Sequence, residues 1–87
     1  MNEVFLIGKI IKVEYLFIYK GKYTSIAKGF IKVKNQEILV MAIDDLADKL
    51  YISNNKLVLA YGKIYNNGIL IKQIQKFDKK LKNKYLH

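Results

Sequence analysis

The residues with the most chemistry to offer are lysines and aromatic rings at alternating positions. Between Ile26 and Lys34 the pattern puts Ala27, Gly29, Ile31 and Val33 on one face of a strand, and Ile26, Lys28, Phe30, Lys32 and Lys34 on the other. The first face suits a core, and the second places a ring among ammonium groups. A phenylalanine between two lysines is poor core material and a good stacking platform, with a subunit interface as the competing reading. Tyr19, Lys20, Lys22 and Tyr23 repeat the combination around Gly21, where a turn is expected. Tyr61, Lys63 and Tyr65 repeat it again, with a facing that the sequence leaves open. Rings that stack on bases and lysines that hold phosphates are the two ingredients of single-strand nucleic-acid binding. Tyrosines flanking a hairpin serve equally well as cross-strand packing partners.

The charge agrees with a polyanionic partner. The chain carries a formal +9, with twelve lysines against six acidic residues in 1–76 and four lysines against Asp78 in 77–87. Body and tail are therefore both basic, which attracts nucleic acid or an anionic membrane surface. An AT-rich coding sequence would favour the same lysine, isoleucine, asparagine and tyrosine. No arginine occurs. Lysine is a point charge suited to phosphate, whereas arginine is the fork that most often reads guanine edges, so binding is expected to be largely sequence-independent.

Other chemistry lacks its residues. The chain has no cysteine, its one histidine is His87, and its serines are Ser25 and Ser53, so neither a Ser-His-Asp nor a Cys-His set can be assembled. Asp44 and Asp45 read better as helix caps than as catalytic carboxylates. No glycine-rich phosphate loop or metal-ligand spacing occurs, and no cofactor is expected. A binding protein is expected, not an enzyme. The first residues lack the basic region of a signal peptide and no segment is long enough to span a membrane, so the expected location is the cytoplasm.

The elements that must position these residues follow from the same patterns. Eighty-seven residues, 52% of them hydrophobic and none of them proline, suit one β-rich domain with one modest core. Glu3 to Ile18 reads as one long strand in which Gly8 is expected to mark a bend. That strand is apolar on both faces and needs cover on both, from the core on one side and a second subunit on the other, unless it is simply hydrophobic. Lys34, Asn35 and Gln36 form a polar turn, and Glu37 to Ile43 is a strand that pairs back on its predecessor. Its Leu39, Met41 and Ile43 add to a surplus of apolar positions that predicts a homo-oligomer, dimer or tetramer. Asp44 or Asp45 caps a short helix with an apolar side of Leu46, Ala47 and Leu50, and Ser53 to Asn55 stop it. Lys56 to Ile64 is a fourth strand with a possible bend at Gly62. Asn67-Gly68 signals a tight hairpin, and Gly68 to Lys76 is the fifth strand. Five strands with one helix between the third and fourth is the order of an OB barrel, expected over 1–77. The remaining 78–87 is a basic tail in which, with Phe77, Leu81 and Tyr85 four residues apart, an amphipathic helix competes with fraying.

These segments resemble the bacterial single-stranded DNA-binding proteins, the SSB family of OB folds. "MNEVFLIGKI" is similar to that family's first strand. "LVMAIDDLADKL" is similar to its third strand and helix, with Leu46, Ala47 and Asp48 at its Leu-Ala-Glu positions, and "NNKLVLAYG" to its fourth strand, ending at Gly62. The resemblance covers about 1–77 and implies binding of single-stranded DNA, or of RNA, in replication, recombination or transfer. The departures imply a minimal member. The family's usual tryptophan at the start of the third strand is absent near Gln36 and Glu37, the aromatic at its end is Ile43, and the hairpins are short. A lysine-rich tail replaces the acidic one that recruits replication partners. A protein-interaction or oligomerisation module without nucleic-acid binding is the alternative expectation, and a membrane-surface binder acting through the tail is a third.

Overall fold

The structure, a computed structural model, describes residues 2–19 and 21–77, with Tyr19 described in its backbone only. The tail at 78–87 and Lys20 lie outside the described residues. The chain runs β1 (Glu3–Tyr19), β2 (Tyr23–Val33), β3 (Gln36–Ile43), α1 (Asp45–Ile52), β4 (Leu57–Tyr65) and β5 (Gly68–Lys76). The strands close into a barrel in the order β1-β2-β3-β5-β4, all neighbours antiparallel except β3 and β5. This is the expected five-stranded OB-fold-like barrel with its helix between β3 and β4.

Alternation dictates the interior. Ala27, Gly29 and Ile31 of β2 are buried while Lys28 and Lys32 face out. The largest fully buried side chains are Ile10, Ile31, Val40, Leu50, Val58 and Ile71, one from each of the six elements. Among the described residues no polar side chain is buried, so the core rests on apolar packing alone. The eight-residue α1 is too short to be stable by itself. It is held by Ala47 and Leu50, which close one end of the barrel, with Leu46 packed beside them. No helix among the described residues is long and apolar enough to cross a membrane.

Several local expectations need correction. Gly8 carries no bulge, because pairing with β4 runs evenly from Glu3 to Lys9, although β1 passes from β4 to β2 at the next residue, as expected of a strand that serves both. Gly8 is required by close packing: a Cβ there would lie 2.5 Å from the Lys32 carbonyl oxygen and 2.8 Å from Ile31 Cγ1. The bulge lies four residues on, between Ile11 and Glu14, where Lys12 takes φ 57°. The Val13 amide next to the bulge donates instead to Asn54 Oδ1 at 3.3 Å. Gly62 does lie at a register shift, between Tyr61 and Gly62. The β4–β5 turn is Asn66-Asn67, with Asn66 at φ 53°, and Gly68 already pairs with Tyr65 as the first residue of β5. Asp44 occupies the N-cap position without a side-chain cap bond. Its N–H donates to the Ser25 carbonyl at 2.8 Å, and its own carbonyl accepts from the Ala47 N–H at 2.9 Å. Asp45 and Asp48 in the first turn keep the expected favourable charge at the helix N-terminus. Asn55, at φ 68°, takes the left-handed geometry expected after the helix.

Gly8→Ala is expected to destabilise the barrel by about 1–3 kcal/mol through overpacking, although Gly8 has no unusual φ. Lys12→Gly should cost less, because glycine relieves the positive-φ strain at the bulge. Urea unfolding of both variants checks the pair; the reverse order would overturn the close-packing account of Gly8.

Candidate nucleic-acid interface

The register of β1, β2 and β3 lays outward side chains in rows. Lys9, Lys32 and Glu37 form one row, Ile11, Phe30 and Leu39 the next, and Glu14, Lys28 and Met41 the third. An apolar ridge thus crosses three strands with charges on either side. Lys28 and Lys32 are exposed, whereas Phe30 is half-buried. The expectation of an open phenylalanine platform needs correction here. Phe30 is flanked by Ile11 and Leu39, and Lys12 Nζ stands 5.8 Å from its ring centroid, a cation–π distance. Lys12 also reaches Glu37 Oε1 at 2.9 Å. Lys12, Glu14, Lys28, Gly29, Phe30 and Leu39 line a shallow depression on this face.

The other expected residues are not gathered at this ridge. Lys34 is in the two-residue β2–β3 turn, exposed and at φ 57°, rather than on the strand. Lys22 and Tyr23 lie at the tip of the β1–β2 hairpin, about 23 Å along β2 from Phe30. Tyr23 is an odd number of residues from Phe30 and so belongs to the opposite face of the strand. It is 71% exposed, yet its ring packs on Phe17 at 5.5 Å, which supports the packing reading. Tyr19 pairs with Tyr23 in register, its side chain lying outside the described residues together with Lys20.

Tyr61, Lys63 and Tyr65 alternate with the buried Val58, Ala60 and Gly62 and therefore point outward from β4. They sit across β1 from the ridge: Tyr61 pairs with Phe5, and Lys63 with Glu3. A hydrogen bond to the Glu3 carboxylate holds the Tyr61 hydroxyl above the ordinary tyrosine pKa.

Two groups of residues escape a sequence reading. Lys9 and Lys12 join Lys28 and Lys32, giving four lysines around the ridge. Lys9 could have been found from strand pairing, but the placement of Lys12 depends on a bulge with no glycine to announce it. The second group is a run of rings from α1 to the hairpin tip. Tyr51 meets Tyr15 at 5.3 Å, Tyr15 meets Phe17 at 6.2 Å, and Phe17 meets Tyr23. One acidic side chain, Asp48, touches this run. Tyr15 Oη donates to Asp48 Oδ1 at 2.5 Å. Among the described residues no three histidine or acidic side chains come together as a metal site.

The bond to Asp48 raises the Tyr15 pKa, with smaller contributions from desolvation and from the aspartate charge, against a lowering by Ser25. A raised folded-state pKa gives stability that is complete below the unfolded tyrosine value of about 10 and is lost as pH rises through the folded value. Thermal melts between pH 8 and 11 should therefore show an alkaline loss that is smaller in Tyr15→Phe than in wild type. Parallel curves would detach Tyr15 from it.

Compared with the models of known protein families and with curated proteins, the chain matches none, so the case for its function rests on the faces of its barrel.

Proposed function

We propose that this protein binds single-stranded nucleic acid, DNA in the first place, without sequence preference. The observation that carries the reading is the row Ile11, Phe30 and Leu39 with Lys9, Lys28 and Lys32 around it on one open sheet face. Unstacked bases have free π-faces for such a ridge, and lysine ammonium groups match the phosphates at either side. A duplex keeps its bases stacked inside and can offer only phosphates. The resemblance to the SSB family supports the same reading, and with it a cytoplasmic role in holding strands open for replication or recombination. The reduced set of rings predicts a short footprint and modest affinity. Within this reading Tyr61, Lys63 and Tyr65, together with the hairpin tip, are peripheral contacts that a longer strand would reach.

A second observation favours association with another protein surface. On the outer face of β1 and β4, Phe5 is 61%, Ile7 47% and Leu57 40% exposed. Phe5 lies opposite Tyr61 and Ile7 opposite Leu59, so the patch is continuous. A homo-oligomer would cover it and leave the ridge on β2 open. An interaction module with no nucleic-acid ligand is the reading that remains if the ridge binds nothing.

Fluorescence anisotropy of a labelled oligo-dT at two salt concentrations, beside the matching duplex, decides between them. Binding should favour the single strand and weaken steeply with salt, because phosphate contacts release counterions and apolar association does not. Phe30→Ala should cost about 1–3 kcal/mol of binding in a folded protein. Lys28→Glu with Lys32→Glu should cost more and flatten the salt slope by about 1.4 or more, at about 0.7 per phosphate contact. An absence of binding at low salt would sink the proposal and leave the interaction module.

A further inference from the structure

The ridge is not bare, and what covers it bears on what it selects. Lys12 is the residue that the β1 bulge displaces, at φ 57°, a conformation costly for a lysine and kept only where surrounding structure enforces it. The displaced side chain crosses Phe30 and ends on Glu37 of β3. One ammonium group therefore occupies both things a strand would need: the face of the ring and a cation for a phosphate. Glu37 holds it there with a carboxylate oxygen at 2.9 Å, the role a phosphate oxygen would play in a complex. The pair is exposed on both sides and so is weak enough to exchange.

We propose that Lys12 and Glu37 form a self-mimicking gate over Phe30, opened by a ligand that brings a base and a phosphate together. The inference rests on the nucleic-acid reading above and adds its selectivity. The base takes the ring, the phosphate takes the Lys12 ammonium, and Glu37 is left beside an anion that repels it. A polyanion without bases gains the ammonium but not the ring. Lys12 is thus a binding residue that changes partner, and Glu37 is an internal competitor of the ligand.

Glu14 is the natural control. It is an exposed acid on the same face, opposite Lys28, and forms no ion pair among the described residues. Glu14→Gln and Glu37→Gln change the net charge equally, so a general field effect would raise affinity for oligo-dT equally. The gate instead predicts that Glu37→Gln tightens binding about two- to fivefold beyond Glu14→Gln, the fold-change equivalent of an exposed ion pair. It also predicts that this excess disappears in a Lys12→Met background. Circular dichroism melts check that wild type and every variant are folded, which surface substitutions should leave intact.

Equal effects of the two glutamate variants, or an excess that survives Lys12→Met, would overturn the gate while leaving the nucleic-acid reading in place. If neither wild type nor Glu37→Gln binds the oligonucleotide at low salt, the parent reading fails and the gate goes with it. Binding by Glu37→Gln alone would support the gate and show it closed in the wild type.

Discussion

The whole barrel depends on β1 being able to serve two partners. Its first seven residues pair with β4, its remainder pairs with β2, and Lys9 faces both Leu57 and Lys32. A straight strand cannot close such a curve, so the backbone must turn, and it does so at Lys12. Neighbouring contacts secure that turn. Asn54 takes the Val13 amide, and the Asn55 N–H reaches the Ile10 carbonyl at 2.6 Å. The segment after α1 thus holds the bulge, while the bulge sets the Lys12 side chain over the ring on β2. Closure of the fold and composition of the binding face come from one irregularity.

That irregularity also marks where sequence reasoning stopped. Element order, the helix between β3 and β4, and the inward set Ala27, Gly29 and Ile31 follow from alternation because burial on one face of a strand has period two. The bulge did not follow, since glycine and asparagine are the residues whose names signal a left-handed backbone, and here lysine takes that conformation. Gly8 and Gly68 owe their identity to a different constraint. At Gly8 another strand comes too close for a Cβ, and at Gly68 the approach is tight, with the Leu39 carbonyl oxygen 3.0 Å from where a Cβ would stand. Close approach is a tertiary fact, and local pattern carries no trace of it. The same limit scattered the expected site: Lys28, Phe30 and Lys32 share a strand and stayed together, whereas Tyr23 and Tyr61 needed the fold to be assigned to their faces.

Charge is arranged by region rather than spread evenly. Lysines collect around the ridge on β1 and β2, and Asp44, Asp45 and Asp48 collect at the start of α1. A net positive protein with one acidic end presents an oriented field to an approaching polyanion, which favours arrival at the basic face. Within the run of rings Tyr15 is hydrogen-bonded to Asp48, so that ring stands beside a carboxylate that repels a phosphate-bearing strand. Rings alone do not define a nucleic-acid surface; the charge beside them decides.

The seam between β3 and β5 is short, with only Val40 opposite Ile69 and Met41 opposite Leu70 in register. It joins residues farther apart than any hairpin here does, though nearer than those paired between β1 and β4, and such closures carry the entropy of the loop they complete, so this pairing is expected after the local hairpins. Until it forms, the edge of β3 is open along "EILVMAI", a segment rich in β-branched and aliphatic residues with one charge at its start. A newly made chain that lingers before closure thus exposes a template for pairing with its neighbours. The time spent with the barrel unzipped, more than the stability of the finished core, would then limit the concentration at which this protein can be made without self-association.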